Sequence, residues 1–239
     1  MRDQNVTRFS KDKKISKSHF YYLVYIPLLR ELKSAIDNYA KGRVIAIGCG
    51  NKPHEKIFEG KTTEYVGCDI VQSDLQKVDV LCEANNIPLA DNSFDTAFST
   101  QTIEHVEDHQ GLVNEAYRLL KPGGYFIVSG PMYWHLHEEP YDFFRFTKYG
   151  FTYIFEKAGF EIVETIPNGG AWATAGQTLI HSFLLSKSKK FFIHTSRFLF
   201  HRLRIYWLMN AFFSWLDKVD YNPVNTLNYV VIGKKPLNK

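Results

Sequence analysis

The chain of 239 residues is 45% hydrophobic and 23% charged, a composition that excludes a disordered protein and allows one large domain with a substantial core. Its net charge of +4 is too small to indicate nucleic-acid binding, and no nucleic-acid-binding motif accompanies it. No run of about 18 uncharged apolar residues occurs, so we expect no membrane-spanning helix, and the polar start lacks the apolar stretch of a secretory signal.

Three cysteines, Cys49, Cys68 and Cys82, lie far apart and form no C-x-x-C pair. An odd and sparse cysteine count indicates reduced thiols, not a disulfide framework or a zinc site. We therefore expect a cytoplasmic protein.

Apolar runs and helical spacing predict the secondary structure in chain order. A first helix is expected from Pro27, at its start, to Gly42, just past its end. Strands are then predicted at 43–48, 63–70, 78–83, 93–100, 125–130, 161–166 and 227–235, and helices at 54–60, 109–124 and 147–160. Thr147 is the expected N-cap of the last of these helices.

This alternation of strands and helices predicts an α/β fold with a doubly wound, mostly parallel, seven-stranded Rossmann-like sheet covered by helices on both faces. The expected organisation is an N-terminal helical segment, a core, a helical insertion rich in basic and aromatic residues, and a final strand with a tail. Their predicted ranges are 1–42, 43–167, 168–226 and 227–239.

The stretch "VIAIGCGNKP" at 44–53 predicts a buried strand that runs into a glycine turn. Gly48 and Gly50 suit a backbone that approaches a ligand closely, but Pro53 stands where a dinucleotide fingerprint has its third glycine. Asp69 ends the second strand, where a carboxylate can accept hydrogen bonds from both ribose hydroxyls. The pattern indicates a nucleoside ligand without a pyrophosphate, such as S-adenosylmethionine.

With these features the chain resembles class I S-adenosylmethionine-dependent methyltransferases of the methyltransferase 11 type. The stretches that carry the resemblance are "VIAIGCGNKP", "YVGCDI", "CEANNIPLADNSFDTAFSTQTIEHVED" and "EAYRLLKPGGYFIVSGP", in order and at the expected spacing. The resemblance covers 43 to about 166 and the terminal strand. It implies that the core at 43–167 binds S-adenosylmethionine.

The resemblance also implies which residues contact that cofactor: Gly48, Gly50, Asp69, Ile70, Glu83, Ala84 and Gln101. By this resemblance Asp69 holds the ribose, Glu83 accepts from the adenine amino group, and Gln101 borders the methionine end. Ala46 departs from the family pattern, which often has an acidic residue two positions before the first glycine.

The loop "PMYWHLHEEPYDFFRFT" at 131–147 follows the fifth strand and is the richest source of candidate catalytic groups. We expect His137 to act as a general base, with Glu138 or Asp142 orienting it or contacting the substrate, and His135 nearby. Arg145 is a candidate ligand for an anionic group. Two alternatives remain open: the loop binds a divalent metal, although we expect none, or its polar residues only tie the loop down.

Outside this loop, His105 is a weaker candidate base, because in the family resemblance this histidine usually supports the loop. We expect methylation of an oxygen atom in a sugar or another small molecule. The loop also resembles methyltransferases found with enzymes of bacterial surface-polysaccharide assembly, which suggests a sugar acceptor, including one on a lipid carrier. The alternatives are a nitrogen, carbon or lipid acceptor, a cofactor-binding partner protein without catalysis, and a nicotinamide dehydrogenase, which Pro53 disfavours.

The insertion contains a segment, 190–207, with basic and aromatic residues. On a single helix its basic face would comprise Lys190, His194, Arg197, His201 and Arg204, and its apolar face Phe192, Leu199, Leu203, Tyr206 and Trp207. Such a helix suits peripheral contact with a membrane, a lid, a dimer face or a cover for the core.

Overall fold

A computed structural model describes residues 15–185, Arg202 and residues 204–237. Its strands are β1 (Gly42–Ile47), β2 (Thr62–Asp69), β3 (Val80–Leu81), β4 (Phe94–Thr100), β5 (Leu120–Pro131), β6 (Glu161–Asn168) and β7 (Asn228–Lys234). Its helices are α1 (Tyr22–Tyr39), α2 (His109–Leu119), α3 (Lys148–Ala158), α4 (Ala171–Leu184) and α5 (Ile205–Val219), with short 3-10 turns at Glu55–Phe58 and Ile103–His105.

The seven strands form one mixed sheet in the order β3-β2-β1-β4-β5-β7-β6. β1 pairs in parallel with β2 and β4, and β5 continues the parallel part beside β4. β7 is antiparallel to both of its neighbours, β5 and β6. The expected seven strands are therefore present, but the sheet is not purely parallel.

Both faces of the sheet are buried, and β1 shows why its sequence is continuously apolar. Ile45 and Ile47 pack on one face with α2 and α3, whereas Val44 and Ala46 pack on the other face with α1. A strand covered by helices on both sides needs apolar residues at every position and not at alternate ones. Because Ala46 lies in this second apolar cluster, a carboxylate at that position would enter an apolar environment.

Several predicted boundaries move in the structure. Pro27, expected at the start of a helix, lies inside α1. A proline inside a helix removes one backbone hydrogen bond. The burial of Leu23 and Val24 in the preceding turn offsets this loss. β3 has only two residues, since it pairs with β2 alone at the sheet edge. Thr147 caps α3 as its sequence predicts, accepting from the Gly150 N–H at 3.1 Å.

Two helices, α4 and α5, lie between β6 and β7 among the described residues, and polar contacts anchor them. The Asp217 carboxylate of α5 accepts from the Gly170 N–H at the start of α4 at 2.9 Å. Gln177 of α4 donates to the Phe20 carbonyl, and Asn210 of α5 donates to the His19 carbonyl. The helical pair is therefore fixed to the segment that precedes α1.

The predicted helix through 190–207 lies largely outside the described residues. Where it reaches them, Arg204 has a φ of +53°, in the left-handed region, and α5 begins at Ile205. A single helix cannot run through a residue in that conformation. The prediction that Tyr206 and Trp207 share one helical face with residues before Arg204 is therefore wrong. Tyr206 is buried, whereas Trp207 is 42% exposed. No helix of the described residues has the length and apolar character needed to cross a membrane.

The packing of α5 on α4 yields a stability prediction. A Cβ at Gly176 would lie 2.4 Å from Cγ of Phe213, so Gly176→Ala should destabilise the protein, although alanine favours a helix over glycine by about 1 kcal/mol. Urea unfolding should show a lower free energy of unfolding for this variant. Ala175→Gly, on the exposed side of the same helix, is the control and should cost only about 1 kcal/mol. Unchanged stability of Gly176→Ala would contradict the packing.

Candidate functional site

The strand order reverses at β1, and a crevice opens there at the carboxyl ends of β1 and β4. Gly48, directly after β1, has a φ of +72°, and a Cβ on it would lie 2.3 Å from the side chain of Thr102, just after β4. Only glycine permits both that backbone conformation and that approach. Open α/β sheets bind their ligands at such a point of reversal.

A cavity of 540 Å³ occupies this crevice. The residues that line it are Ile47, Gly48, Cys68, Asp69, Ile70, Cys82, Glu83, Ala84, Asn85, Thr102, Val106, Glu107, Asp108, Tyr141 and Phe143. Five of the seven residues predicted to contact the cofactor are among them: Gly48, Asp69, Ile70, Glu83 and Ala84.

The Asp69 carboxylate is held in place by two backbone N–H groups. Gly50 donates to Oδ2 at 2.9 Å, and Ile70 donates to Oδ1 at 2.8 Å. Each carboxylate oxygen can accept a further hydrogen bond, so the group can receive a pair of neighbouring hydroxyls. Gly50 does not line the cavity itself, but it orients the carboxylate that does.

The wall opposite the glycine turn comes from the segment after β3, which contains Glu83 and Ala84. This segment is anchored to α2, because Arg118 donates to the carbonyls of Ile87 and Leu89 at 2.7 and 2.8 Å. Ile70 is 43% exposed at the cavity wall, where its side chain can cover a planar ring. The apolar wall and the carboxylates together fit an adenosine-like group.

Gln101, like Gly50, is a predicted cofactor residue that does not line the cavity. It has a φ of +51°, and its side-chain amide donates to the Ser129 hydroxyl at 3.2 Å, so it ties β4 to β5. Its neighbour Thr102 lines the cavity instead. Sequence reasoning missed Thr102, Tyr141 and Phe143. The close approach of Thr102 to Gly48 has no local sequence signal.

The Cys49 thiol beside the glycine turn is unsuited to nucleophilic chemistry, whereas the hydrogen bond with Cys68 lowers the pKa of the Cys82 thiol. All three cysteines are free, and Cys68 and Cys82 line the cavity. Burial, reinforced by the nearby charge of Asp69, raises the pKa of the Cys49 thiol to about 12. A thiol with so high a pKa is not ionised near neutral pH.

Asp142 is the centre of the polar loop at 131–147. Its side chain is only 2% exposed and forms a bidentate ion pair with Arg145, with both N–O distances at 2.7 Å. Arg145 also donates to the carbonyls of His135 and Phe144. Burial opposes ionisation, but the Arg145 guanidinium and the His137 hydrogen bond hold the pKa of the Asp142 carboxyl well below its usual range.

His137 is oriented by this carboxylate. Its Nδ1 lies 3.1 Å from Asp142 Oδ2, and its backbone N–H donates to the same oxygen at 3.0 Å. A carboxylate at Nδ1 favours the tautomer protonated there, which makes Nε2 the basic nitrogen. Of the two predicted orienting groups, Asp142 contacts His137 in this way.

His105 packs against the ring of His137 and directly precedes Val106 of the cavity wall. Its ring centroid is 4.7 Å from that of His137, and its Nδ1 contacts the Tyr141 carbonyl at 2.8 Å. Its Nε2 is 3.7 Å from Glu138. His105 thus contacts the backbone of the polar loop, next to Val106 and Tyr141 of the cavity wall.

One group among the described residues has the composition of a metal site. One ligand atom each from Glu104, His105 and His137 lies within 4.8 Å of the others. The cluster shares His137 with the candidate base, so the metal alternative for this loop competes directly with base catalysis.

A second cavity, of 280 Å³, lies where the polar loop meets α4. Its lining residues are Tyr133, His135, Thr178, His181, Ser182 and Leu185. His135 packs edge-on against His181 at 4.5 Å and lies 6.2 Å from His137, centroid to centroid. Burial, followed by the charge of His135, lowers the pKa of His181 to about 4, so this imidazole is neutral near pH 7.

Comparisons with known proteins agree with this geometry. Residues 45–128 match the family model described as "Methyltransferase domain". A Mycolicibacterium smegmatis protein named "Probable S-adenosylmethionine-dependent methyltransferase" is 29% identical over 140 residues, which cover 52% of this chain and 53% of that protein. Sterol 24-C-methyltransferase of Schizosaccharomyces pombe is 27% identical over 145 residues, covering 51% of this chain and 35% of that enzyme.

Solved structures share the fold at low identity. Phosphoethanolamine N-methyltransferase 2 of Haemonchus contortus, in complex with S-adenosyl-L-methionine, has a TM-score of 0.54 and 18% identity, covering 97% of this chain and 60% of that chain. The [4+2]-cyclase SpnF has a TM-score of 0.59 and 17% identity, and the match covers 95% of this chain and 85% of that chain. These similarities concern the fold, which by itself does not define a reaction.

The segment 45–128 therefore matches a methyltransferase domain, and S-adenosylmethionine is the cofactor that the name of the Mycolicibacterium relative gives. The cavity and the Asp69 carboxylate, which can accept from two neighbouring hydroxyls, fit the adenosine part of this cofactor. The chain spans about half of the Mycolicibacterium protein and about a third of the sterol methyltransferase. The relatives include C-methyltransferases, so they do not single out one acceptor atom.

Asp69→Ala should weaken cofactor binding. The variant removes the charged acceptor for the ribose hydroxyls, and hydrogen bonds to charged groups contribute about 1.5–3 kcal/mol, so we expect a Kd at least tenfold higher. Calorimetric titration with S-adenosylmethionine and with its demethylated product measures this. Glu156→Ala, at an exposed carboxylate of α3 outside the cavity, is the control and should leave the affinity unchanged. Equal affinities for Asp69→Ala and the unaltered protein would remove Asp69 from the site.

Asp142→Asn should destabilise the protein in a pH-dependent manner. Removal of this carboxylate leaves Arg145 without its ion-pair partner, at a cost of about 3 kcal/mol near pH 7. Because the folded-state pKa of Asp142 is depressed, its contribution is present above the unfolded-state pKa of about 3.9 and is lost as the pH falls further.

Urea unfolding near pH 7 and near pH 3 measures this dependence. The difference in free energy of unfolding between the unaltered protein and Asp142→Asn should shrink at the lower pH. Glu139→Gln, which removes an exposed carboxylate from the same loop, should show little difference at either pH. A difference for Asp142→Asn that stays constant over this range would contradict an ion pair of this strength.

Proposed function

We propose that the protein transfers the methyl group of S-adenosylmethionine to a hydroxyl oxygen of a sugar or another small molecule. The observation that carries this proposal is the pair formed by His137 and the buried carboxylate of Asp142, in the loop whose Tyr141 and Phe143 line the cavity. A hydroxyl must lose its proton as it attacks, and an imidazole with an orienting carboxylate is suited to accept that proton.

When bound, the cofactor supplies a methyl carbon already activated by its sulfonium. The protein then has to align the acceptor with that carbon and exclude water. Asp69 would fix the ribose, Glu83 and Ala84 the adenine, and Ile70 would cover the ring face. Tyr141 and Phe143, from the polar loop, line the cavity and would shield the reaction from solvent.

The second cavity is the place we propose for the acceptor. It adjoins His137 through His135, and its lining offers hydroxyls from Tyr133, Thr178 and Ser182 beside a neutral imidazole. Neutral donors and acceptors of this kind suit a ligand rich in hydroxyl groups, such as a sugar. A role in surface-polysaccharide assembly, including methylation of a lipid-linked sugar, is supported only by the resemblance of the loop sequence.

His137→Ala should abolish most of the turnover and leave cofactor affinity unchanged, because the imidazole acts on the acceptor proton and not on the cofactor. General-base catalysis contributes about 10²–10⁴-fold, so a loss in that range is expected. The assay measures transfer of labelled methyl from S-adenosylmethionine to components of a cell extract, with calorimetry for affinity. Glu139→Gln is the matched control in the same loop. Turnover equal to that of the unaltered protein would exclude His137 from the mechanism.

Two further outcomes of this assay separate the alternatives. Cofactor binding without any methylated product would favour a partner protein that binds the cofactor without catalysis. Loss of product after treatment with a chelator, restored by a divalent cation, would favour the metal alternative, for which Glu104, His105 and His137 are the candidate ligands. We expect turnover to be insensitive to the chelator, because base catalysis by His137 requires no metal.

A further inference from the structure

The exposed side of α5 carries a continuous apolar stripe. Leu208, Phe212, Trp215 and Val219 recur at the spacing of one helical face and are 56%, 52%, 57% and 67% exposed. A helix on a water-facing surface normally presents charged residues there, with its apolar face toward the core. On α5 the core side is occupied separately by Tyr206 and Asn210, which are buried.

The neighbouring helix α4 has a similar stripe. Trp172, Leu179 and Phe183 share one helical face and are 36%, 43% and 45% exposed. The indole N–H of Trp172 donates to Asp220, directly after α5, at 2.9 Å, so the stripes approach each other at that end. The helical pair therefore exposes one large aromatic and aliphatic surface, which we call the α4–α5 face. Exposed patches of this extent indicate an interaction surface.

Cations outnumber carboxylates near α5 among the described residues, and the carboxylates there, Asp217 and Asp220, accept from the Gly170 N–H and the Trp172 indole N–H. Between Glu164 and Asp217 the sequence contains no acidic residue but six cations: Lys187, Lys189, Lys190, Arg197, Arg202 and Arg204. The net charge of the whole chain is only +4, so the rest of the chain is net acidic. Arg202, Arg204 and Lys218 are exposed beside α5. The stretch between Glu164 and Asp217 thus carries the excess positive charge in the sequence, and its described cations, Arg202 and Arg204, directly precede α5.

We propose that the α4–α5 face docks on the surface of an anionic lipid bilayer. Tryptophan and other large apolar side chains insert at the headgroup boundary, and lysine and arginine are attracted to anionic lipids. A second copy of this chain fits less well, because a symmetric contact would bring the same cations of both copies together. The proposal goes beyond methyl transfer and holds for any acceptor.

Flotation of the chain of residues 1–239 with lipid vesicles tests this proposal. We expect it to float with vesicles of phosphatidylcholine and phosphatidylglycerol at low salt, to dissociate as salt is added, and to remain unbound with phosphatidylcholine alone. The double variant Phe212→Ser and Trp215→Ser should bind at least tenfold more weakly, since it removes two side chains that would enter the lipid. Tyr149→Ser with Tyr153→Ser, at exposed positions on α3, is the control.

Circular dichroism shows whether the double variant remains folded, and Val219→Ser, at the end of α5, is a milder second variant that should also weaken binding. Sedimentation velocity is run in parallel. Protein that fails to float with anionic vesicles at low salt would overturn the proposal. The proposal would also be overturned if the protein formed a dimer and the double variant of Phe212 and Trp215 were a monomer. The α4–α5 face would then be a contact between two copies of the chain. If the α3 control variant weakened binding to the vesicles as much as the α5 double variant does, the α4–α5 face would also be excluded as the docking surface.

Discussion

The reversal of strand order at β1 is the constraint on which the rest of the site depends. β2 and β4 lie on opposite sides of β1, and the segments that follow β1 and β4 come into close contact at Gly48 and Thr102. This close contact requires a glycine, and it opens the cavity beside it. The Asp69 carboxylate at the end of β2 faces the same opening, where Gly50 and Ile70 fix it.

A second organising group is the buried Asp142 carboxylate. It neutralises Arg145, and Arg145 in turn satisfies the carbonyls of His135 and Phe144. The same carboxylate orients His137. A purely structural role for this network and a catalytic role for His137 therefore do not exclude each other. An ion pair that stabilises the loop also selects the tautomer that a general base needs.

The α4–α5 pair connects these features with the surface. Its inner side contributes Thr178, His181 and Ser182 to the second cavity, and its outer side forms the exposed α4–α5 face. If that face docks on lipid, the proposed acceptor cavity lies in a helical pair held close to the bilayer. This arrangement is compatible with a lipid-linked acceptor, but it does not require one.

The sequence by itself determined the seven strands, the glycine turn and five of the cavity-lining residues, because these depend on local patterns: apolar runs, glycine spacing and a carboxylate at a strand end. Only the tertiary structure decided that β7 is antiparallel to its neighbours, that Thr102 rather than Gln101 lines the cavity, and that Asp142 contacts His137. The pairing of distant segments produces these features. Such pairing depends on strand direction and on packing between residues far apart in the chain, which no local pattern encodes.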